Sequence, residues 1–171
     1  VSIPALVTHI AANAFSGNQI TGITVDPANT SFRASDGVVY TADMKKAVTS
    51  GGGVTAVNIP EGVVEVADSA FYDRFRATSL TLPSSLRKIG QAAFYRLSIS
   101  SVEIPEGVTE IPANAFALCN NLSQLTLPSS LVSIGDRAFY DCQKVKSLVV
   151  PEGVAIIGKQ AFDNVYFDAL Y

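Results

Sequence analysis

Along most of this chain the apolar residues fall on a fixed grid. Pairs separated by one residue, Val57/Ile59, Leu80/Leu82, Val102/Ile104, Leu125/Leu127 and Leu148/Val150, return every 22 or 23 residues, and Val1/Ile3 opens the chain in the same way. Period-two alternation of β-favouring residues predicts a short strand with these side chains turned inward. A proline follows each pair, at Pro4, Pro60, Pro83, Pro105, Pro128 and Pro151. Lacking an N–H for a ladder, it ends the strand and turns the chain. Two more apolar positions follow it at fixed offsets: Val63/Val66, Leu86/Ile89, Val108/Ile111, Leu131/Ile134 and Val154/Ile157. Eleven residues after each proline comes Ala-Phe, ending at Phe15, Phe71, Phe94, Phe116, Phe139 and Phe162. The unit is L-x-L-P-x-x-V-x-x-I-x-x-x-A-F followed by a variable turn.

A unit this small cannot bury its own apolar face, so successive units must cover one another around a core that runs along the stack. The expected fold is a leucine-rich-repeat-like solenoid, a right-handed superhelix. Each repeat of roughly 23 residues supplies one short parallel strand, with turns or single helical turns between strands. Stacking Ala-Phe on Ala-Phe should give a column of Phe rings. One unit breaks the pattern. Ile23/Val25 is a good strand pair, but Asp26 stands at the proline position and the next pair comes 34 residues later. The excess falls in residues 32–53, where two β-favouring runs flank a polar turn and Gly51-Gly52-Gly53 closes the segment. This reads as a β-hairpin that projects from the solenoid or lies across its side. Residues 1–171 are expected to be a single repeat domain, a fragment of a larger protein, with 163–171 as a cap and Tyr171 where an eighth strand would open.

The stretch Leu125-Thr126-Leu127-Pro128-Ser129-Ser130-Leu131-Val132-Ser133-Ile134-Gly135-Asp136-Arg137-Ala138-Phe139-Tyr140-Asp141-Cys142 closely resembles the BspA-like leucine-rich repeat of bacterial surface and secreted proteins. The segment beginning Val25-Asp26-Pro27-Ala28-Asn29-Thr30 does so too, and the resemblance covers nearly the whole chain. It implies a non-enzymatic extracellular or cell-envelope protein, with adhesion to host matrix or other cells described for some members. A repeat scaffold does not specify its ligand.

Composition narrows the reading without completing it. A net charge of −3 argues against general binding of nucleic acid, which needs a basic face. No apolar run approaches the roughly 18 residues of a membrane span. The expected partner is a protein or a glycan, with the domain monomeric. Catalysis has little to build on: His9 is the only histidine and falls at a solvent-type repeat position, as Glu65, Lys88 and Glu110 do. No cofactor or metal is expected, since Cys119 and Cys142 fall short of the four ligands of a structural zinc site. Both cysteines stand three residues after their Phe, where other repeats have Leu97 and Val165. Either they are buried thiols packing as small apolar residues, or they form a disulfide between neighbouring coils.

If the repeat fixes the core, ligand recognition must reside in the variable positions. Three sets stand out. One is the outward column of the sheet, Asn58, Thr81, Glu103 and Thr126, continued by Val149. A second is the tyrosine column one residue after Phe, formed by Tyr72, Tyr95 and Tyr140 with Ala117 interrupting it; it is either a binding strip or a cover for the coil edges. The third is charge. Arg74, Arg76, Arg87, Lys88 and Arg96 lie in a stretch, 74–101, that holds no Asp or Glu. It is either a solvated patch or a site that attracts an anionic partner. Recognition by these sets is one expectation; a stalk or spacer that presents a neighbouring domain is the other.

Overall fold

The computed structural model of the chain describes residues 1–18 and 20–168 and is a β-solenoid with no helix among them. The first coil contributes β1 (Ser2–Ile3), and the irregular unit contributes β2 (Thr24–Val25), β3 (Phe32–Ser35), β4 (Val38–Thr41) and β5 (Lys46–Ser50). The regular coils supply β6 (Ala56–Asn58), β7 (Glu65–Val66), β8 (Ser79–Thr81), β9 (Lys88–Ile89) and β10 (Ser101–Glu103). They continue with β11 (Glu110–Ile111), β12 (Gln124–Thr126), β13 (Ser133–Ile134) and β14 (Ile156–Ile157). The eighth strand anticipated at Tyr171 lies outside the described residues.

The expectation of one strand per repeat is corrected to two. The L-x-L segments form a first wall, with β1 on β2, β6 on β8 and β10 on β12, all parallel. The V-x-x-I segments form a second parallel wall, β5–β7–β9 and β11–β13–β14. The second wall was hidden because its strands are two residues long, and only one side chain of each, such as Val66, Ile89 or Ile111, points inward. The strand expected at Leu148/Val150 does not form, although Leu148 remains buried.

The Ala-Phe corner makes a third ladder that is not a β-sheet. Two residues before and two after each Phe adopt left-handed backbone, as at Ser69 (φ 54°) and Asp73 (φ 59°), or Asn114 (φ 56°) and Leu118 (φ 60°). Alternating hands turn every second N–H along the solenoid axis. Thus Phe71, Phe94, Phe116 and Phe139 donate N–H to Ala93, Ala115, Ala138 and Ala161 of the next coil at 2.8–2.9 Å. A left-handed non-glycine residue costs about 1–2 kcal/mol. Hydrogen bonds repeated in every coil offset it. Beneath the ladder Phe71, Phe94, Phe116, Phe139 and Phe162 stack with centroids 5.1–5.6 Å apart.

The insert does not project. β3, β4 and β5 form an antiparallel meander, and β5 then runs parallel to β7, pairing Lys46 with Glu65 and Ala47 with Val66. The extra residues therefore extend the second wall. Val38, Tyr40 and Ala47 enter the main core, and burial, aided by Asp36, pushes the Tyr40 hydroxyl up to about 12. A separate small core, Ile3, Ile23, Phe32 and Val39, lies on the other side of the meander, where Phe15 packs half-buried and apart from the Phe column.

A finer period runs through the regular coils. Val57-x-Ile59-Pro60-Glu61-Gly62-Val63 is followed by Leu80-x-Leu82-Pro83-Ser84-Ser85-Leu86, and the same two forms alternate from Val102 and from Leu125. Each Glu-Gly coil is clipped to the Ser-Ser coil after it. The Glu61 carboxylate accepts from Ser84 N–H at 2.9 Å and from Ser84 Oγ at 3.1 Å, while Ser85 Oγ accepts from Gly62 N–H and donates to Val63 O. Glu106 with Ser129 and Ser130 repeats the clip at almost the same distances. The first wall is accordingly paired in twos, with no ladder between β8 and β10. Between β9 and β11 the second wall opens too. There Pro112 stands where Ala67, Gly135 and Gly158 give N–H groups to the preceding coil, and it has none to give.

Candidate recognition surfaces

The tyrosine edge lies directly over the third ladder, so its side chains are fixed by the backbone that holds the Phe column. Tyr72 and Tyr95 stack at 4.6 Å with ring planes 5° apart, both half-buried. Burial first, and then the neighbouring Tyr72, raise the Tyr95 hydroxyl above its ordinary value. Tyr140 stands apart from this pair, beyond buried Ala117, with the Arg137 guanidinium 5.9 Å from its ring centre. The anticipated column is a stacked pair and an isolated ring.

Beside the stacked pair sits a residue absent from the sequence-derived set. Phe75 is 50% exposed, and Arg76 and Arg96 reach over it at 6.0 and 5.9 Å from the ring centroid. Arg96 also pairs with Asp73 at 2.8 Å. Four residues after Phe, the next three coils carry Ser98, Asn120 and Gln143, and the last carries Tyr166. An aromatic at a position that is polar in the three coils that follow was the available signal, obscured because Phe75 follows a core Phe so closely.

The cationic stretch does not form one patch. Arg74, expected at the surface, is 2% exposed. It stands three residues after Phe71, in the inward slot filled elsewhere by Leu97, Cys119 and Cys142. Its Nη2 donates to Ser50 O at 2.7 Å and Phe15 O at 2.8 Å, and its Nε to Ser50 Oγ at 3.1 Å. Burial lowers its pKa, but the neighbouring coil offers open acceptors and the guanidinium satisfies them. Arg87 and Lys88 are exposed on the second wall. There Lys88 and Lys46 share Glu65, at 3.2 and 2.7 Å, and Arg87 donates to Ser84 O, Leu86 O and Glu106 O. Arg76 and Arg96 remain together at the tyrosine edge, apart from the Arg87–Lys88 pair on the second wall.

The sheet-face residues Asn58, Thr81, Glu103 and Thr126 are all exposed on the first wall. Cys119 and Cys142 are free, fully buried thiols that donate to Phe94 O and Phe116 O at 3.3 and 3.2 Å. Burial pushes the Cys119 thiol up to about 12 and that of Cys142 higher still. Among the described residues no three His, Cys, Asp or Glu side chains gather as a metal site would require, and no helix is long and apolar enough to cross a membrane.

The BspA-type leucine-rich repeat region matches in six copies over residues 45–167. The chain belongs to the BspA-type leucine-rich repeat family. Its fold is similar to that of a leucine-rich cell surface protein from Faecalibacterium prausnitzii, at 28% identity and a TM-score of 0.84, covering 99% of this chain and 48% of that one. It is similar also to a leucine-rich repeat protein of T. pallidum, at 34% identity and a TM-score of 0.67, over 82% of this chain and 68% of that one. The pneumococcal vaccine antigen PcpA shares the fold at 23% identity and a TM-score of 0.64, across 99% of this chain and 37% of its own. The chain thus spans less than half the length of the surface protein and of the vaccine antigen. No curated protein sequence matches it. This family membership makes the chain a protein-interaction or structural module.

Proposed function

We propose that the chain is one non-catalytic recognition domain of a bacterial surface or secreted protein, and that its edge formed by Tyr72, Tyr95, Phe75, Arg76 and Arg96 engages a protein or glycan on another cell or matrix. The observation that carries this reading is the exposed Phe75 ring with two guanidiniums about 6 Å from its centre, beside a stacked tyrosine pair. Nothing in the core requires an aromatic there. Rigid aromatic area ordered in advance binds at low entropic cost, and arginines around it add attraction for anionic groups. Titration of the domain against matrix proteins and anionic glycans, with Phe75→Ala combined with Arg76→Ala as the control, tests it. Saturable binding that weakens about tenfold or more in the double variant is expected. Unchanged binding in that variant removes the edge from the reading.

The continuous Phe column and three ladders also suit a rigid spacer. A spacer predicts no saturable ligand for the isolated domain, so the same titration separates the two.

A further inference from the structure

The two-coil period leaves a second surface, unrelated to the tyrosine edge. Just before the first wall, Ser98 N–H donates to Ala77 O at 3.0 Å, after which β8 and β10 run side by side with no backbone hydrogen bond between them among the described residues. A groove opens at this break. Leu80, Leu82 and Pro105 line it, with Glu61 and Glu103 among its polar residues. Two coils on, between β12 and residues 147–149, the wall breaks again over an equivalent groove of Leu125, Leu127 and Pro151 with Glu106. In both, the leucines are only half-buried, whereas Val57 and Val102 of the alternate coils are buried. Neither groove is lined by a Lys, an Arg or an aromatic ring.

We propose that these two grooves form one docking track for an extended basic peptide segment carrying Arg or Lys at every third residue. Its carboxylates call for a cationic partner, and the absence of rings leaves no platform on which a sugar would stack. Glu61 and Glu106 keep their charge because the Ser84 and Ser129 backbone N–H groups, opposed by slight desolvation, hold both carboxyls below their ordinary value. Spacing supplies the periodicity. Coils about 5 Å apart place the grooves about 10 Å apart, and an extended or polyproline II chain advances about 3.1–3.3 Å per residue, so each third side chain meets a groove. The inference rests on the chain being a recognition domain but uses a face distinct from the Phe75 edge.

Fluorescence anisotropy of the whole chain with a labelled proline-rich peptide bearing Arg at every third position, against an isomer with the same arginines contiguous, tests it. The periodic peptide should bind about tenfold more tightly than its isomer. Glu103→Gln should weaken it severalfold and Ser147→Trp, which fills the second groove from an exposed position, about tenfold, with circular dichroism unchanged in both. Phe75→Ala should have no effect on this peptide. No binding, equal affinity for the two isomers, indifference to both groove variants, or displacement by a neutral chitin oligosaccharide overturns the proposal. Peptide binding without any ligand at the Phe75 edge leaves the track standing and removes the edge; the converse removes the track alone.

Discussion

The Pro-to-Phe motif occurs both at residues 4–15 and in the five coils from Pro60 onward, and it builds different things in the two places. In the regular coils Phe94, Phe116 and Phe139 are each stacked between two other Phe rings and donate their N–H to the next coil. Phe15 is half-buried in a separate small core, with the meander rather than another Ala-Phe coil beside it. A solenoid repeat therefore carries its full stabilisation only when the unit beside it repeats the same geometry. Where the register fails, individual groups make the connection instead. Arg74 binds carbonyls of Phe15 and Ser50, and Ser50 Oγ donates to Ala70 O.

The largest test of this contrast is to remove the same side chain in both regions. Phe116→Ala, in the middle of the column, should cost about 3–5 kcal/mol. Phe15→Ala should cost about 1 kcal/mol, in keeping with its partial burial. Equal losses in urea unfolding would show that the two regions are not distinct.

Arg74→Met keeps the volume and removes the donors, taking the guanidinium from the buried Ser50 carbonyl while the Phe15 carbonyl keeps its bond from Asn18, at about 1–3 kcal/mol. Hydrogen exchange should quicken in residues 1–53 before it does in the coils from Pro83. Uniform quickening would mean that Arg74 is not the link between the regions.

Glycines offer a third comparison. A Cβ at Gly135 would lie 2.7 Å from Ala113 N and 2.8 Å from Pro112 C, both backbone atoms, whereas one at Gly22 would meet nothing within 4 Å. Gly135→Ala should destabilise by about 1–3 kcal/mol, and Gly22→Ala should fall within about 0.5 kcal/mol of neutral. Thermal melting of both variants measures the difference.

The smallest effect concerns acid. Glu61 and Glu106 have lowered pKa values in the folded state, chiefly from the Ser84 and Ser129 N–H groups. Their contribution is complete above the ordinary glutamate value of about 4.3 and disappears as pH falls through the lowered folded-state values. The melting temperature of the wild type should therefore decline below about pH 4, with a shallower decline when both are changed to Gln. Parallel declines would show that the clips add nothing.

Much of this was legible without coordinates. Six Pro-to-Phe units, the inward L-x-L pairs, the Phe column and the buried Cys slot all follow from a period that one coil imposes on the next. The two-coil alternation was written just as openly, in Glu-Gly against Ser-Ser, but its meaning lies in hydrogen bonds between residues 23 apart. Other features depended on which neighbour each segment meets. The second wall has strands too short for an alternation to register, and the meander joins that wall because β5 finds the free edge of β7. Arg74 looked like a surface cation because charge is a property of the residue, while its burial is a property of the slot three residues after Phe71.

What the sequence determined by itself is the repeating environment: which positions face inward, where the chain turns and which rings stack, since identical units must cover one another's apolar faces. Only the tertiary structure decided where that repetition breaks, at the N-terminal core, at Pro112 and between the clipped pairs. Each break depends on an N–H, a carbonyl or a ring failing to find its counterpart one coil away, a relation that no single coil contains.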